Sequence, residues 1–279
     1  MNFPENELAD AFRDVDSHLE CAEIIRTHSS NKKDIRKVAL EGIDLINTKH
    51  IVDIGCGFGF FTEALFNKTA PEIIVSGIDC FDEYRDVFLN LCKKCDFKGK
   101  FYNSGVDALQ AFERNCVDLI LSSYSLYFFP RIIPQLARIL DSSGVCIIIT
   151  HSGSHLKELY YLVLKALYKN GYKQLKTVPY DELVNNFSGD NGYRQLSEHF
   201  GSIEKKDFIN ELIFSAQATE KYLQYFRHKK SFLLPDFLIN DYKIIRKVEE
   251  ELINHIIKTG EIRITKNDTV FICTNPIKK

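Results

Sequence analysis

The sequence lacks a strong charge of either sign and lacks any long apolar run. Its 279 residues carry 36 basic and 38 acidic side chains, a formal net charge of −2. Proteins that bind nucleic acid as their main ligand usually present a basic face, so this balance disfavours that class without excluding RNA. The longest apolar runs, such as residues 145–149, are far shorter than the roughly 18 residues that cross a bilayer. We therefore predict no membrane-spanning helix and no membrane partner.

Signs of secretion or of a structural metal are also scarce. The first twelve residues contain Glu5, Glu7 and Asp10 and no apolar stretch, so we expect no secretory signal. Eight cysteines are too few for a disulfide scaffold, which favours reduced thiols and a cytoplasmic location. Cys92 and Cys95 form one CxxC pair, but no second pair or histidine stands at zinc-ligand spacing, so we expect no metal there.

What the chain does contain is an alternation of short apolar strands with helices. The pattern predicts strands at 50–54, 73–78, 100–103, 117–121, 145–150, 203–216 and 269–274. It predicts helices from residue 35 to 46 and at 60–66, 82–95, 132–140, 155–168, 219–228 and 241–259. Because strands that alternate with helices form parallel sheets covered on both faces, the predicted fold class is α/β, a three-layer αβα sandwich.

The C-terminal half is longer than this alternation requires. Far more residues separate the strand at 145–150 from the strand at 269–274 than two ordinary connections need. We predict a helical insertion around 179–241, which is either a lid over a substrate or a set of helices that only cover the sheet. The predicted parts are N-terminal helices (1–47), a core (48–152) and a C-terminal half (153–279) that completes the sheet.

The most informative segment is the run DIGCGFG at residues 53–59, directly after the first strand. Glycine is required where the backbone takes a positive φ or where a ligand approaches closely, and the helix that follows offers N–H groups to a polar ligand. A dinucleotide-binding fingerprint reads GxGxxG, whereas here the third glycine comes one residue earlier. This spacing disfavours a nicotinamide-dependent oxidoreductase.

The motif Asp53-x-Gly55-x-Gly57-x-Gly59 resembles motif I of the class I S-adenosylmethionine-dependent methyltransferases. Asp79, at the end of the second strand, stands where this family places an acid that accepts hydrogen bonds from both ribose hydroxyls of the cofactor. The resemblance covers about residues 35–152 and implies a mostly parallel seven-stranded sheet. It makes the core at 48–152 the cofactor-binding part.

The same resemblance implies a set of cofactor-binding residues at the strand ends. They are Asp53, Gly55, Cys56, Gly57, Gly59, Asp79, Cys80, Phe81, Asp107, Ala108, Ser122 and Ser123. In this arrangement Phe81 packs on the adenine and Asp107 accepts from its exocyclic amine, although an acid before a helical turn is also a common N-cap. The implied cofactor is S-adenosylmethionine and the implied product is S-adenosylhomocysteine.

Aromatic residues after the fourth strand are candidates for the substrate wall. Tyr124, Tyr127 and Phe128 can orient a planar or cationic acceptor, and core packing is the rival interpretation. A base is needed only if the acceptor loses a proton, and the candidate catalytic residues are His151, at the carboxyl end of the fifth strand, and Tyr127. His151 and His155 have HxxxH spacing, but no acid partner is evident, so we expect no metal.

The predicted function is transfer of a methyl group from S-adenosylmethionine to an oxygen, nitrogen or carbon atom of a small molecule by in-line displacement. Residues 123–126 read SYSL, so the Pro-Pro-aromatic and Pro-Cys signatures of nucleic-acid methyltransferases are missing. The alternatives are a protein or tRNA methyltransferase and a non-catalytic subunit that keeps the fold. The sequence predicts no oligomeric state.

Overall fold

The protein is described here from a computed structural model, which covers residues 12–278. The described α-helices are α1 (Val15–His28), α2 (Ile35–Ala39), α3 (Arg85–Lys94), α4 (Ile133–Ile139), α5 (Lys157–Lys169), α6 (Pro179–Asn186), α7 (Gly192–Ser197), α8 (Thr219–Leu233) and α9 (Tyr242–Thr259). The described strands are β1 (His50–Ile54), β2 (Ile74–Ile78), β3 (Lys98–Tyr102), β4 (Val117–Ser123), β5 (Leu140–His151), β6 (Phe200–Phe208), β7 (Glu211–Ser215), β8 (Glu261–Thr265) and β9 (Asp268–Pro276).

One sheet of seven strands runs in the order β3-β2-β1-β4-β5-β9-β6. The pairs from β3 to β5 are all parallel, and β9 is antiparallel to both of its neighbours, β5 and β6. A second, two-stranded sheet pairs β7 with β8 in antiparallel register. The mostly parallel seven-stranded sheet confirms the predicted fold class.

The chain divides into two compact units, each of which is described by itself. The sheet unit contains Lys33–His151, Asn186–Phe208 and residues 268–278, and it holds the whole seven-stranded sheet. The helical unit contains residues 12–32, Ser152–Asn185 and Ile209–Asn267. The division into 1–47, 48–152 and 153–279 stays a prediction, and its first eleven residues lie outside the described part of the chain.

The core of the sheet unit explains why its central strands have continuous apolar sequences. The consecutive residues Ile147, Ile148 and Ile149 of β5 are all fully buried, so both faces of this strand are covered. Cys92 and Cys95 belong to an apolar cluster on one face, and burial raises the pKa of the Cys92 thiol to about 12. This CxxC pair is therefore part of the apolar core.

Helix α9 shows how the helical unit is built. Its N-cap, Asp241, accepts hydrogen bonds from two backbone N–H groups of the first turn, and the helix ends at Gly260, whose φ is +79°. Its buried side chains recur every four residues, which gives one apolar stripe. Glu251 accepts from Lys165 and Lys169 of α5 at 2.7 and 2.6 Å, so ion pairs also join the two helices.

None of the described helices is long and apolar enough to cross a membrane.

Candidate active site

The glycine turn joins the carboxyl ends of β1 and β2. Gly55, Gly57 and Gly59 have φ values of +66°, +47° and +85°, a region that side chains with a Cβ rarely adopt. The backbone N–H of Gly55 donates to the carbonyl of Ile78 over 2.8 Å. A backbone hydrogen bond therefore holds the turn against β2, and the three glycines allow the φ angles that the turn requires.

The three glycines differ in what surrounds them. A Cβ on Gly55 would overlap Ser125, and a Cβ on Gly59 would overlap Leu91, so these two glycines allow close packing within the protein. A Cβ on Gly57 would meet nothing nearer than a Tyr84 ring carbon at 3.9 Å. The backbone of Gly57 thus faces open space, which a ligand can approach.

Asp79 ends β2 beside this open space. One oxygen of its carboxylate accepts from the N–H of Gly57 at 2.9 Å, and the other accepts from the N–H of Phe81 at 3.1 Å. Burial raises the pKa of the Asp79 carboxyl, and these backbone hydrogen bonds oppose that shift. These hydrogen bonds hold the carboxylate beside the open space at Gly57.

Asp53 lies deeper, with only 2% of its surface exposed. Its carboxylate accepts from the hydroxyl of Thr62 at 2.6 Å and so connects β1 to the 3₁₀ turn Thr62–Leu65. Burial, with a smaller contribution from the charge of Asp79, raises the pKa of Asp53 to about 7 against the opposing effect of the Thr62 hydrogen bonds. The contact that the structure gives Asp53 is within the protein.

The remaining residues predicted near the adenosine occupy varied positions. Cys56, Phe81 and Ala108 are buried. Cys80 is exposed, and its side chain hydrogen-bonds to the carboxyl of Asp79. Asp107 is exposed in the first turn of the 3₁₀ helix Gly105–Ala111.

Serines at and just after the end of β4 connect it to the end of β1, directly before the glycine turn. The hydroxyl of Ser125 donates to the carbonyl of Ile54 at 2.7 Å, and the hydroxyl of Ser122 lies 2.9 Å from the Ser125 oxygen. The Ser123 oxygen is buried and has no hydrogen-bond partner among the described residues. The same is true of the Thr150 oxygen on β5. Unsatisfied buried polar atoms are uncommon, and both lie at the strand edge where open α/β sheets bind ligands.

A second polar group forms after β4 and β5. Tyr124 donates its hydroxyl proton to one carboxylate oxygen of Asp268 at 3.0 Å, and the other oxygen lies 2.7 Å from Nδ1 of His151. The Tyr124 and His151 rings stack at 4.7 Å between centroids, with 28° between their planes. Two aromatic side chains therefore share one buried carboxylate, which is 3% exposed.

The sequence analysis missed Asp268. The residue lies 117 positions after His151, yet it is the cross-strand partner of His151 where β9 pairs with β5. The resemblance implied a mostly parallel seven-stranded sheet but gave no strand order, so the sequence analysis had no signal that placed Asp268 beside His151. The contact depends on the pairing of β9 with β5, and Asp268 is the first residue of β9.

The other predicted substrate and catalytic residues, Tyr127 and Phe128, lie close to His151. His155, which was considered for its spacing to His151, is in the helical unit. Tyr127 is buried, its ring centroid is 5.8 Å from that of His151, and burial raises its pKa, so its hydroxyl keeps its proton at neutral pH. Phe128 is half-buried against Tyr127, with ring centroids 4.6 Å apart. His155 belongs to the helical unit, where it is buried 5.6 Å from the ring of Tyr180.

Comparison with known proteins gives one family match. Residues 52–148 match a family model described as a methyltransferase domain. The match begins in β1 and ends in β5, and it includes the glycine turn, Asp79 and Tyr124. A search of curated proteins finds no match.

Solved structures share the fold at low sequence identity. A methyltransferase candidate from Bacillus halodurans C-125 is 13% identical with a TM-score of 0.52, and the match covers 87% of this chain and 99% of that one. The YcgJ protein of Bacillus subtilis is 13% identical with a TM-score of 0.50, covering 92% and 99%. Phosphoethanolamine N-methyltransferase 2 of Haemonchus contortus, in complex with S-adenosylmethionine, is 14% identical with a TM-score of 0.50, covering 95% of this chain and 58% of that one.

At these identities the solved structures show the fold alone. The family model shows in addition that residues 52–148 are similar to a methyltransferase domain. The sheet is seven-stranded and mostly parallel, as the motif I resemblance implied. The family match confirms that resemblance over residues 52–148, and with it the methyltransferase class. Residues 52–148 therefore match a methyltransferase domain, and the sheet that contains them has the class I S-adenosylmethionine-dependent methyltransferase fold.

Proposed function

We propose that this enzyme methylates a small molecule, with the cofactor bound at the carboxyl ends of β1, β2 and β4. The observation that carries the cofactor site is the pair formed by Gly57 and Asp79. Gly57 has no Cβ to fill the open space beside its backbone, and the Asp79 carboxylate is held next to that space by the Gly57 and Phe81 N–H groups. These groups fit a ligand with vicinal hydroxyls and a charged, polar tail.

The residues proposed to hold the cofactor divide by what they offer. Asp79 accepts the ribose hydroxyls, the backbone of Gly55 to Gly57 lies along the methionine portion, and Phe81 and Asp107 contact the adenine. The buried Ser123 oxygen, which lacks a partner among the described residues, supports a polar contact at the end of β4. When bound, S-adenosylmethionine supplies an electrophilic methyl group on a sulfonium, so the protein has to align the acceptor and exclude water.

Three observations support a small acceptor over a nucleic acid. The formal net charge is −2, and residues 123–126 lack the signatures of base-modifying enzymes. The aromatic residue of this segment, Tyr124, is engaged with His151 and Asp268 rather than presented as a stacking platform. We further infer a cytoplasmic location, which the eight free cysteines support.

The cofactor site is tested by calorimetric titration of the purified protein with S-adenosylhomocysteine, with NAD titrated in parallel because both contain adenosine. Saturable binding of S-adenosylhomocysteine alone is the expected result. Binding of NAD alone would overturn the argument from glycine spacing. Binding of neither compound would contradict the proposed site.

The acceptor class is tested by incubating the enzyme and S-adenosylmethionine with three separate mixtures: small metabolites, total tRNA and a denatured protein extract. Formation of S-adenosylhomocysteine and a mass gain of one methyl group, about 14 Da, identify the accepted mixture. We expect both signals with the metabolites. A mass gain confined to tRNA or protein would replace the proposed acceptor class.

A further inference from the structure

Strand β8 forms one edge of the two-stranded sheet in the helical unit. Thr265 shows which groups point outward, because its N–H donates to the Glu158 carboxylate at 2.8 Å and its carbonyl accepts from the Leu156 N–H at 2.8 Å. Neither of these backbone groups therefore pairs with β7. Since the hydrogen-bonding groups of a strand alternate between its two sides, the N–H and the carbonyl of Arg263 point to the same outer edge.

The opposite edge of this sheet is covered by the protein itself. The carbonyl of Glu211 in β7 accepts from the Ser30 N–H at 2.8 Å, and the carbonyl of Ile213 lies 2.9 Å from Nδ1 of His28. The end of α1 and the residues after it thus occupy the outer side of β7. Among the described residues, by contrast, none bonds to the backbone of Arg263 on the outer edge of β8. A sheet edge of this kind is a template for a further strand.

A cleft of about 540 Å³ lies at this outer edge of β8. It is lined by residues of β8 and of α5, together with His255 of α9. Its apolar part consists of the buried side chains of Leu162 and Ile262 and of Tyr161, which is 64% exposed. The volume is in the range of ligand-binding clefts, and tyrosine is among the residues that contribute most to protein interfaces.

The charges around the cleft favour an acidic ligand. Its cations are Lys157, Lys165 and Arg263, whose side chains are all more than one third exposed. The two lining carboxylates are already engaged within the protein, Glu158 by the edge of β8 and Glu261 by the guanidinium of Arg263 at 2.8 Å. The cations also form ion pairs, but exposed ion pairs are weak, so a bound carboxylate can replace them at little cost.

We propose that the outer edge of β8 and this cleft bind an extended, acidic segment of another protein, which adds a third strand beside β8. The backbone of one residue of the segment accepts from the Arg263 N–H and donates to the Arg263 carbonyl. The Glu261 carbonyl already accepts from the Thr259 hydroxyl at 2.7 Å, so the pairing is short. This inference concerns a partner and does not depend on the proposed methyl acceptor.

The alternation of side chains along a strand defines the sequence that fits. The residue paired with Arg263 has its side chain on the same face as the guanidinium, where an acid is favoured. Its two neighbours have theirs on the face of Ile262, where apolar side chains can pack against Leu162 and Tyr161. The expected segment therefore alternates acidic with apolar residues.

The first test uses a short, capped, fluorescent peptide in which glutamate alternates with valine. Fluorescence anisotropy with the full chain measures its binding. We expect saturable binding that weakens as salt is added, and at least about tenfold weaker binding of a matched peptide in which lysine replaces glutamate. A lack of saturable binding, or equal binding of the two peptides, would overturn the proposal.

The second test separates the backbone of Arg263 from its side chain. Arg263→Pro removes the outward N–H, which lies outside the pairing of β7 with β8, so the sheet can keep its ladder. We expect it to weaken binding of the glutamate peptide about tenfold or more. The matched control Arg263→Ala keeps the N–H, and we expect it to weaken binding by about threefold or less. Equal losses in the two variants would overturn the proposed strand pairing.

A second pair of variants keeps the proposal testable if Arg263→Pro fails to fold, which its melting temperature would reveal. Tyr161 and Tyr168 are both exposed on α5, and the cleft lining includes Tyr161 and not Tyr168. We expect Tyr161→Ala to weaken binding of the glutamate peptide about fivefold or more and Tyr168→Ala to leave it unchanged. Equal effects would overturn the proposed site.

A fluorescent oligouridylate tests the rival class of partner, because an exposed tyrosine among lysines can also stack on single-stranded nucleic acid. We expect it to bind more weakly than the glutamate peptide. Tighter binding that Tyr161→Ala removes would replace the protein partner with a nucleic acid. All four variants should bind S-adenosylhomocysteine as the native chain does, so failure of this proposal and failure of the proposed function remain distinct.

Discussion

The glycine turn after β1 and the His151 group after β5 lie at the same edge of the sheet and differ in how they are built. The turn depends on backbone: three positive φ angles and two N–H groups that meet Asp79. Its residues lie within a short stretch of chain. The His151 group depends on side chains, and its three members come from positions as far apart as 124 and 268.

The difference shows which kind of site can be predicted from a sequence. A backbone site needs glycines and a carboxylate at set spacings, because only those residues allow the conformation. A side-chain site needs compatible groups brought together by strand pairing, and no local spacing records that pairing. The following variants test this difference through the free energy of unfolding and the affinity for S-adenosylhomocysteine, from the largest expected effect to the smallest.

The strongest test of the backbone site is Gly55→Ala. The new Cβ meets Ser125 at a positive φ, so we expect a loss of about 3 kcal/mol in the free energy of unfolding, together with weaker binding of S-adenosylhomocysteine. The matched control is Gly42→Ala, which has a φ of +78° but no atom within 4 Å of its Cβ. It should cost only about 1 kcal/mol. Equal losses in urea unfolding would show that packing against Ser125 contributes nothing.

Because Asp53, next to the glycine turn, is buried, it makes the free energy of unfolding depend on pH. Its folded pKa of about 7 lies above the unfolded value of about 3.9, so the folded chain binds more protons between these values and loses stability as pH rises through them. Asp53→Asn cannot ionise and lacks this term. We expect the stability of the native chain relative to Asp53→Asn to fall by about 2 kcal/mol from pH 5 to pH 7. Urea unfolding of both proteins at the two pH values measures it, and a constant difference would contradict it.

Asp79→Ala separates ligand binding from the turn. The substitution removes the acceptor proposed for the ribose hydroxyls, so we expect the affinity for S-adenosylhomocysteine to fall by about 1–3 kcal/mol, roughly ten- to hundredfold. Calorimetric titration measures the change. The matched control is Asp86→Ala, which removes an exposed carboxylate from α3 and should leave the affinity unchanged. An unaltered affinity in Asp79→Ala would remove this residue from the site.

Two adjacent serines on β4 give the smallest effects. Ser122 has a buried hydroxyl bonded to Ser125, so Ser122→Ala should cost about 1 kcal/mol in the free energy of unfolding. The Ser123 oxygen has no hydrogen-bond partner in the described part of the chain, so Ser123→Ala should change stability by less than about 0.5 kcal/mol. Thermal unfolding of both variants compares them. A larger loss in Ser123→Ala than in Ser122→Ala would reverse the assignment.

The sequence predicted the first half of the sheet because its signals there are local. Strands β1, β2 and β4 are short apolar runs that end in glycine, aspartate or serine, and the structure has them close to the predicted bounds. The helix predicted from residue 35 to 46 ends earlier, at Ala39, since Gly42 takes a φ of +78°. The helical spacing of apolar residues in the sequence continues to residue 46, past the point at Gly42 where the backbone turns.

The second half was less predictable because its strands pair over long distances. Residues 203–216 were predicted as one strand, which is wrong: β6 ends at Phe208 and β7 begins at Glu211, and the two belong to different sheets. Between them, Asn210 lies outside both strands; its backbone N–H donates to the Asn267 side chain at 3.0 Å, and its carbonyl accepts from the Lys266 N–H at 2.9 Å. Strand β8 was not predicted at all. Its partner β7 lies far away in sequence, so no hairpin signal marks it.

The position of β9 has a consequence for how the protein folds. The last strand of the described chain lies between β5 and β6, so that part of the sheet stays incomplete until residues near 270 pair with residues near 148. Contacts of such sequence separation form slowly, because a long loop must close before they stabilise anything. During synthesis the glycine turn can form on an early segment, whereas the Asp268 partner of His151 arrives only with the last strand. The contact between Asp268 and His151 should therefore be the later of the two to form as the chain matures.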